Sequence, residues 1–514
     1  MTATRSLSDL CRGYADAPSL PIRHISLDSR RVEADGLFLA CAGRRTHGLR
    51  GLGEACSRGA RAILWEPAEG IEPPAPRDDV FMAPVAELSR HASAIAARFH
   101  ADPSATLAVA GVTGTNGKTT TSWLIAMAMQ QLHRRAGYIG TLGCGVPGEA
   151  LAGGEYTTED AVSVQQRLAD LLASKAECVA MEVSSHALDQ FRVEAVRYRV
   201  AAFTNLTRDH LDYHGTMENY AAAKARLFEL SQAGTRVINV DDAQGAQWAL
   251  QQAELGKAPL FVTARTNQGR ATAAQCVARH AATVCIEACD IERHARGLRF
   301  RLIDSSAAMS ATAGISMEIP LIGEFNVDNV LIAYGVLRAL GVEADEARGA
   351  LSGSKAPPGR MEAFVIDSGA LAIVDYAHTP DALAKALAAA RAHCSGQLHL
   401  VFGCGGDRDA GKRPMMGEVA ARLADRLIVT DDNPRTEDPA KIVADIHRGI
   451  AANVTVLTQH DRAAAIREAL KAARDGDVVL IAGKGHEDYQ IIGSEKRPFS
   501  DQVIVKEFMR RVAA

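Results

Sequence analysis

Short apolar runs alternate with helical patterns along most of this chain, and this alternation predicts an α/β fold with parallel sheets. Runs rich in Val, Ile and Leu are typical of buried strands, whereas Ala-rich stretches are typical of the helices that cover such a sheet. The predicted strands are residues 22–27, 36–41, 60–65, 106–112, 178–183, 200–205, 236–240, 371–374, 398–402, 426–430 and 478–482. The predicted helices include residues 85–99, 120–132, 217–230 and 326–340.

Two breaks divide this pattern into three domains, and 514 residues are too many for one core. A linker at 101–104 precedes the strand 106–112, and the proline-containing segment 355–359 follows the helix 326–340. We therefore expect a small N-terminal α/β domain (1–102), a central parallel-sheet ATPase domain with a P-loop (103–355) and a C-terminal Rossmann-like domain (356–514). Residues 245–320 are less regular and are assigned no role, although 298–303 and 316–319 could pair as antiparallel strands.

Composition favours small-molecule partners. Lys plus Arg number 57 against 61 Asp plus Glu, a net charge of −4, which gives no argument for nucleic acid or an anionic membrane. No run approaches the ~18 apolar residues of a membrane-spanning helix, and residues 1–21 lack an apolar run of signal-peptide length. We therefore expect a cytoplasmic protein, and a monomer. Disulfides are not expected, because the ten cysteines are scattered singly apart from Cys285 and Cys289, whose spacing has no second pair nearby to complete a zinc site.

A phosphate-binding loop follows the strand 106–112. Its sequence is Gly114-Thr115-Asn116-Gly117-Lys118-Thr119-Thr120. Glycines let backbone N–H groups face an anion, the following helix adds its positive end, the lysine supplies a point charge and a threonine hydroxyl can reach Mg²⁺. The generic P-loop pattern has glycine five places before Gly117, where this chain has Val112, so the match is to a shorter Gly-x-x-Gly-Lys-Thr variant. A similar turn occurs without nucleotide in other folds.

Polar residues at the ends of the next strands suggest a metal site beside this loop, since ligands gather at the carboxyl ends of parallel strands. Glu182 ends one strand, where a P-loop enzyme holds a second magnesium ligand. The next strand leads into a loop with two aspartates and two histidines, among them His210. Taken alone, Glu182 is an ordinary strand-end acid and the loop is solvated surface; beside a phosphate loop they favour a metal or nucleophile-positioning site.

Lys224 lies on an apolar helix face, because it is spaced by three or four residues from Tyr220, Leu227 and Phe228. A snorkelling lysine would explain this placement. Alternatively, burial lowers its pKa and leaves a free amine that can add carbon dioxide, forming a carbamate suited to Mg²⁺.

Four strand ends of the C-terminal domain carry charged residues that suggest a pocket for a zwitterion. Arginines can grip carboxylates through two parallel hydrogen bonds, and a glutamate can hold an ammonium group. Each of these segments is also compatible with turn chemistry. The residues concerned follow four strands: Asp375 and His378; Asp407 and Arg408; Asp432, Asn433, Pro434 and Arg435; and Gly483 and Glu487.

These motifs resemble, over essentially the whole chain, the Mur ligase family of ATP-dependent ligases in bacterial cell-wall synthesis. The signature blocks occur in the family's order at 113–120, 182–186, 205–210, 220–228, 323–329, 358–362 and 375–378. The segment 432–435 is similar to the diaminopimelate recognition motif of one branch of that family. The resemblance implies amide formation through an acyl phosphate, with ATP and Mg²⁺, between UDP-N-acetylmuramoyl-L-alanyl-D-glutamate and meso-2,6-diaminopimelate.

The resemblance also implies site residues. For the UDP precursor these are Leu27, Ser29, Arg44, Arg45, Thr46, Thr157, Thr158, Ser184, Gln190 and Arg192. For ATP they are residues 114–120 as named above, with Asn326, Asn329 and Asp375. The implied metal ligands are Thr119, Glu182, His210 and Lys224, the last as a carbamate. The implied catalytic residues are Lys118, Lys224, His210 and Arg360. For diaminopimelate they are Arg408, Asp432, Asn433, Pro434, Arg435, Gly483 and Glu487.

Three rival functions remain open at this stage. A folylpolyglutamate synthetase-like or cyanophycin-like ligase would share the phosphate loop but gives no reason for the segment 432–435. A P-loop switch or hydrolase would release phosphate from ATP alone. A non-catalytic UDP-sugar binding protein is disfavoured by the combination of Lys118, Glu182 and Lys224.

Overall fold

The structure is a computed structural model and describes residues 4–44, 46–154, 156–230, 234–294, 296–307 and 314–512. The chain forms two compact units. The first comprises Met1–Val284 and Gly335–Glu343, and the second comprises Cys285–Tyr334 and Ala344–Ala514. Among the described residues, no helix is both long enough and apolar enough to cross a lipid bilayer.

The first unit begins with a small α/β domain built on a four-stranded parallel sheet of order β3-β4-β5-β6. Its core joins Leu37, Leu39 and Leu64 of the sheet to Ile95 of the last helix. The strands are β1 (Arg5–Ser6), β2 (Pro21–Ile22), β3 (His24–Ser26), β4 (Gly36–Ala40), β5 (Ala60–Trp65) and β6 (Phe81–Pro84). The helices are α1 (Leu7–Cys11), α2 (Leu52–Ser57) and α3 (Leu88–Phe99).

The rest of the first unit is a larger sheet whose strands run in the order β13-β12-β11-β7-β10-β8-β9. All are parallel except β9, which pairs antiparallel with β8. Its strands are β7 (Ala108–Thr113), β8 (Ala136–Gly140), β9 (Gly143–Gly145), β10 (Cys178–Glu182), β11 (Tyr198–Phe203), β12 (Thr235–Asn239) and β13 (Leu260–Ala264). Its helices are α4 (Lys118–Gln131), α5 (Ala161–Ala173), α6 (Ser185–Asp189), α7 (Leu211–His214), α8 (Met217–Leu230), α9 (Ala243–Leu255) and α10 (Asn267–Arg279).

The second unit contains an antiparallel group and a six-stranded sheet. The antiparallel strands are β14 (Val284–His294), β15 (Gly297–Asp304) and β16 (Ile315–Ile319). They are followed by α11 (Phe325–Ala339), whose residues from Gly335 onward are assigned to the first unit, and by α12 (Ala344–Ser352). The later strands are β17 (Glu362–Val365), β18 (Leu371–Asp375), β19 (Leu398–Phe402), β20 (Arg426–Val429), β21 (Val456–Thr458), β22 (Val478–Ala482), β23 (Tyr489–Ile492) and β24 (Glu495–Pro498). The later helices are α13 (Pro380–Arg391), α14 (Lys412–Leu423), α15 (Pro439–His447), α16 (Arg462–Ala472) and α17 (Asp501–Val512).

The six-stranded sheet is buried on both faces, which explains its near-continuous apolar strands. Its order is β17-β18-β22-β19-β20-β21, parallel except for β17. Alternate residues of β18 enter two different cores: Leu371 and Ile373 pack on the side of α13 to α15, and Ala372 and Val374 on the side of α16 and α17. This is the doubly wound arrangement predicted from the sequence.

The predicted helix 217–230 and strands 398–402 and 478–482 are confirmed to the residue, and the antiparallel pairing of 298–303 with 316–319 is confirmed as β15 with β16. The irregularity expected for residues 245–320 is wrong for its first part, which continues the α/β pattern as α9, β13 and α10. The helix α10 buries Gly269, Thr272, Ala273 and Cys276. Because these residues are small or polar, the sequence shows no apolar period there.

A buried ion pair joins the starts of α16 and α17. The Arg462 side chain donates through Nε and Nη2 to both oxygens of Asp501 at 2.8 Å, and neither side chain is exposed. We predict that Asp501→Asn lowers the free energy of unfolding by about 3–5 kcal/mol, because it leaves a buried guanidinium without its counter-charge. Urea denaturation measures the change. The matched control is Asp381→Asn in the exposed pair with Lys385, expected to stay within about 0.5 kcal/mol; equal effects would contradict the prediction.

Candidate functional site

The phosphate loop connects β7 to α4 and is held by the loop that follows β11. Gly114 has φ +150°, and a Cβ atom on it would lie 1.9 Å from Thr204 Oγ1, so a larger residue does not fit. Gly117 has φ +85° and immediately precedes α4. The amides of Thr115 and Asn116 donate to Asn205 O and Oδ1 at 2.8 and 3.0 Å. The backbone is therefore fixed in a cradle suited to the phosphates of a nucleotide.

Two lysine side chains converge on one backbone carbonyl in this loop. Lys118 Nζ donates to Gly114 O at 2.9 Å and to Thr115 O at 2.8 Å, and Lys224 Nζ donates to the same Gly114 O at 2.8 Å. Lys224 is only 1% exposed, so the snorkelling alternative is wrong. Burial, and secondarily the charge of Lys118, lowers the pKa of Lys224 well below its usual value. A neutral amine at this position is the form that can add carbon dioxide.

Glu182, at the end of β10, is buried beside Thr119 of the loop. Its carboxylate accepts hydrogen bonds from Thr119 Oγ1 and the Thr141 amide at 2.9 Å, and from the Tyr138 hydroxyl. A Cβ atom on Gly140 would lie 2.2 Å from Glu182 Oε1, so this glycine leaves room for the carboxylate. Hydroxyl and carboxylate oxygens side by side fit Mg²⁺, which prefers hard oxygen ligands.

A cluster of aromatic rings follows at the end of β11. The ring of His210 lies 4.9 Å from that of His186 and 6.1 Å from that of Tyr220. The Tyr220 hydroxyl is 3.1 Å from Thr115 Oγ1, and its ring lies 4.4 Å from Lys224 Nζ. His210 is thereby connected to the phosphate loop and Lys224 through one tyrosine. Burial, followed by the neighbouring histidines, lowers the pKa of His186 to about 4, so His186 is neutral at pH 7.

Four of the five residues expected at the muramoyl dipeptide form one hydrogen-bond network. Arg192 donates to Thr158 O at 2.9 Å and to Gln190 Oε1 at 3.0 Å. The Ser184 amide donates to Thr158 Oγ1 at 3.1 Å. The fifth residue, Thr157, accepts a hydrogen bond from Thr141 Oγ1 at 3.2 Å. All five are thus gathered near the carboxyl end of β10.

The residues expected at the uridine nucleotide are less closely joined. Ser29 donates to Glu54 at 2.8 Å, and Leu27 packs against the core of the small α/β domain. Thr46 accepts the Gly43 amide at 3.1 Å, which closes the turn that carries Arg44. The guanidinium of Arg44 lies 4.0 Å from the centre of the Tyr213 ring. Arg45 lies outside the described residues.

In the second unit, the remaining residues that were expected to contact ATP form two groups. Asn329 donates to Asn326 Oδ1 at 2.8 Å, and both side chains are buried at the start of α11. Arg360 stacks 4.7 Å over the Tyr376 ring. Asp375, at the end of β18, accepts the amides of residues 361 and 377 at 2.9 Å, and burial raises its pKa against the opposing effect of Arg360.

The segment 432–435 and the segment 483–487 meet at the ends of β20 and β22. Asn433 Nδ2 donates to Glu487 Oε2 at 2.9 Å. Arg435 Nη1 donates to Gly406 O at 2.7 Å, and its backbone has φ +53°, which is uncommon for a residue with a side chain. Backbone hydrogen bonds to residues 491 and 493 hold this conformation. Arg408 is exposed on the loop after β19. We call the residues of these two segments, 432–435 and 483–487, the 432–487 pocket.

The structure adds site residues that sequence reasoning missed. Thr141 bonds Glu182 from a hairpin, β8–β9, that the pattern did not predict. Asn205 fixes the phosphate loop through its backbone oxygen and its side chain. Lys484 is a fully buried cation in the 432–487 pocket. In the sequence, the only feature that could have identified Lys484 as a site residue was its position between two glycines at the end of a strand.

The lowered pKa of Lys224 gives a prediction for stability against pH. Between the folded-state pKa and about 10.4, the unfolded chain binds one more proton than the folded protein, so wild-type stability rises with pH by up to about 1.4 kcal/mol per unit. Lys224→Met removes this contribution. We measure the free energy of unfolding of both proteins by urea denaturation in carbon-dioxide-free buffer. We expect the free energy of unfolding of the variant, minus that of wild type, to be highest at neutral pH and to fall as pH approaches 10. A difference that does not change with pH would contradict it.

Comparisons with known proteins agree with this geometry. Three family models match: the "Mur ligase family, catalytic domain" at 21–100, the "Mur ligase middle domain" at 112–337 and the "Mur ligase, glutamate ligase domain" at 359–485. Proteins named "UDP-N-acetylmuramoyl-L-alanyl-D-glutamate--2,6-diaminopimelate ligase" from Alkalilimnicola ehrlichii and Ectopseudomonas mendocina are 44% and 46% identical, over 98% and 95% of this chain and 98% and 94% of theirs. A solved structure with the same name is 33% identical, covers 100% of both chains and has a TM-score of 0.70. With identity of this level over nearly its whole length, the chain belongs to the Mur ligase family.

Proposed function

We propose that this chain is an ATP-dependent ligase of the MurE type, which adds meso-2,6-diaminopimelate to UDP-N-acetylmuramoyl-L-alanyl-D-glutamate in the cytoplasm during peptidoglycan precursor synthesis. The observation that carries the proposal is the 432–487 pocket, where the segment that carries Arg435 meets the segment that carries Glu487 through the hydrogen bond from Asn433 Nδ2 to Glu487 Oε2. Relatives named as ligases of UDP-N-acetylmuramoyl-L-alanyl-D-glutamate and 2,6-diaminopimelate match 98% and 95% of the chain, which supports the proposal.

The three family matches support a division into a UDP-binding domain (1–102), an ATP-binding domain (103–355) and an amino-acid-binding domain (356–514). The uridine nucleotide would contact Leu27, Ser29 and the turn of Arg44 to Thr46. The muramoyl dipeptide would contact the network of Thr158, Ser184, Gln190 and Arg192, with Thr157 beside it.

The phosphate loop would hold ATP, with Lys118 and Arg360 spreading the charge of the transferred phosphoryl group. Asn326 and Asn329 would lie near the adenine and Asp375 near the ribose. Thr119, Glu182, His210 and the Lys224 carbamate would hold Mg²⁺. When bound, Mg²⁺ neutralises phosphate charge and orients the phosphoryl group. The residues of this chain act in the proposal by binding and positioning, and none acts as a nucleophile.

The proposed reaction activates an acid before the amine attacks. The precursor carboxylate attacks the γ-phosphate of ATP, which gives an acyl phosphate and ADP. The diaminopimelate amine then adds to the acyl carbon, and phosphate leaves from the tetrahedral intermediate. Activation is needed because a carboxylate is a poor acyl donor, and exclusion of water protects the acyl phosphate.

Phosphate release tests this function against its rivals. The purified chain is given ATP, Mg²⁺ and the UDP-muramoyl dipeptide, with diaminopimelate or lysine offered separately. We expect release with diaminopimelate and little with lysine, because lysine lacks the second carboxylate that would pair with Arg435. Release from ATP alone would indicate a P-loop switch or hydrolase. Equal release with both amino acids would contradict the proposed substrate.

Arg435 provides a narrower test. Arg435→Ala removes a charge-assisted pairing of about 1–3 kcal/mol, so we expect KM for diaminopimelate to rise by about 5- to 150-fold while KM for ATP changes little. Arg422→Ala is the matched control, since Arg422 is an exposed arginine at the end of α14. Steady-state kinetics measure both variants. Unchanged kinetics with diaminopimelate in Arg435→Ala would remove Arg435 from the substrate site.

A further inference from the structure

Lys484 is a buried cation that the proposed chemistry does not use. It follows β22 in the sequence Gly483-Lys484-Gly485, and its residue is 0% exposed. Lysine is almost never fully buried unless it is paired, because an uncompensated buried charge costs several kcal/mol. Its contacts therefore indicate what this position requires.

The two flanking glycines fix the direction of the chain at Lys484. Gly483 has φ +119°, and a Cβ atom there would lie 2.6 Å from Asp432 Oδ2; Gly485 has φ +54°, and a Cβ atom there would lie 2.6 Å from Tyr376 Cβ. Neither position accommodates a side chain without displacement. The loop is thus packed against Asp432 and Tyr376 on either side of Lys484, and the lysine is enclosed by the 432–487 pocket.

The ammonium group of Lys484 lies among polar groups of that pocket. Nζ donates to Asn433 Oδ1 at 3.0 Å and to Glu487 Oε2 at 3.1 Å, and it lies 3.8 Å from Asp432 Oδ1. One lysine is therefore in ionic contact with two carboxylates and fixes the side-chain amide of Asn433. The Ile491 amide donates to the same Asn433 Oδ1 at 2.9 Å, so Asn433 Nδ2 is directed to Glu487.

Both hydrogen bonds to Glu487 from these side chains end on the same oxygen, Oε2. This arrangement orients the carboxylate plane and leaves Oε1 outside the Lys484 and Asn433 contacts. The Glu487 side chain is 17% exposed, whereas that of Lys484 is 0% exposed. A ligand can therefore reach Glu487 at a position where it cannot reach Lys484.

We propose that Lys484 is a positioning residue of the amino-acid site, which holds Glu487 and Asn433 so that Glu487 presents a carboxylate oxygen to the ammonium group of a zwitterionic substrate. This inference rests on the proposed function, in which that substrate is diaminopimelate. Lys484 acts through Glu487 and does not touch the substrate. Without its cation, two carboxylates and an amide would lose their common partner, and the geometry of Glu487 would no longer be fixed.

The test is a double-mutant cycle on the full chain, built from Lys484→Met, Glu487→Gln and the double variant. We expect each single variant to raise KM for diaminopimelate at least 10-fold, with KM for ATP and for the UDP precursor within about twofold of wild type. If Lys484 acts through Glu487, the double variant has the same KM as Glu487→Gln within about twofold. Lys385→Met, which removes an exposed lysine of α13, is the control for loss of a lysine.

Several results would overturn the inference. They are an unchanged KM for diaminopimelate in Lys484→Met, a parallel rise in all three KM values, or effects that multiply in the double variant. If Lys484→Met does not yield folded protein, the double variant decides, because removing both partners of the ion pair costs less than leaving one of them unpaired. Phosphate release by the wild-type protein distinguishes failure of the proposed function from failure of this inference. Release that does not depend on diaminopimelate rejects the proposed function. Release that depends on diaminopimelate, without the expected effects of the variants, rejects only the role of Lys484.

Discussion

The carbonyl oxygen of Gly114 accepts hydrogen bonds from two lysines, and the organisation of the nucleotide site depends on this contact. Lys118 and Lys224 come from different helices, α4 and α8, yet their Nζ atoms lie 2.9 and 2.8 Å from the same oxygen. Two ammonium charges on one acceptor repel each other. Burial, and secondarily the charge of Lys118, lowers the pKa of the buried lysine, Lys224, well below its usual value. The same contact therefore favours the neutral form of Lys224, which is the form that the proposed carbamate requires.

Close packing at the ends of strands recurs in both units and explains where glycine is required. At Gly114 a Cβ atom would meet Thr204, at Gly140 it would meet Glu182, and at Gly483 it would meet Asp432. In each case a glycine at or just after a strand end lies against a polar side chain at or just after the end of another strand. Carboxyl ends of parallel strands are where α/β proteins bind ligands, and the glycines let the backbone approach the groups that do so.

The sequence predicted the parallel architecture and the residues after each strand because both depend on local pattern: apolar runs mark buried strands, and a helical period of three to four placed Lys224 on an apolar face. It could not predict contacts that depend on tertiary packing. The pairing of Thr141 with Glu182 joins residues 41 positions apart through a hairpin without a distinctive turn sequence. Lys484 looked like part of a glycine-rich turn, and only the packing of Gly483 and Gly485 against Asp432 and Tyr376 reveals that it is buried. The helix α10 escaped prediction because it packs through small residues.

In the proposed reaction, the terminal phosphate of ATP passes to a carboxylate at the phosphate loop before the amine reacts. Isotope transfer tests this most directly. The precursor is prepared with ¹⁸O in both oxygens of its reacting carboxylate. The reaction is run with ATP, Mg²⁺ and diaminopimelate, and the released phosphate is analysed by mass spectrometry. We expect one labelled oxygen to move into each phosphate released, since the acyl C–O bond breaks when the amine displaces phosphate. Phosphate that carries no label would contradict it.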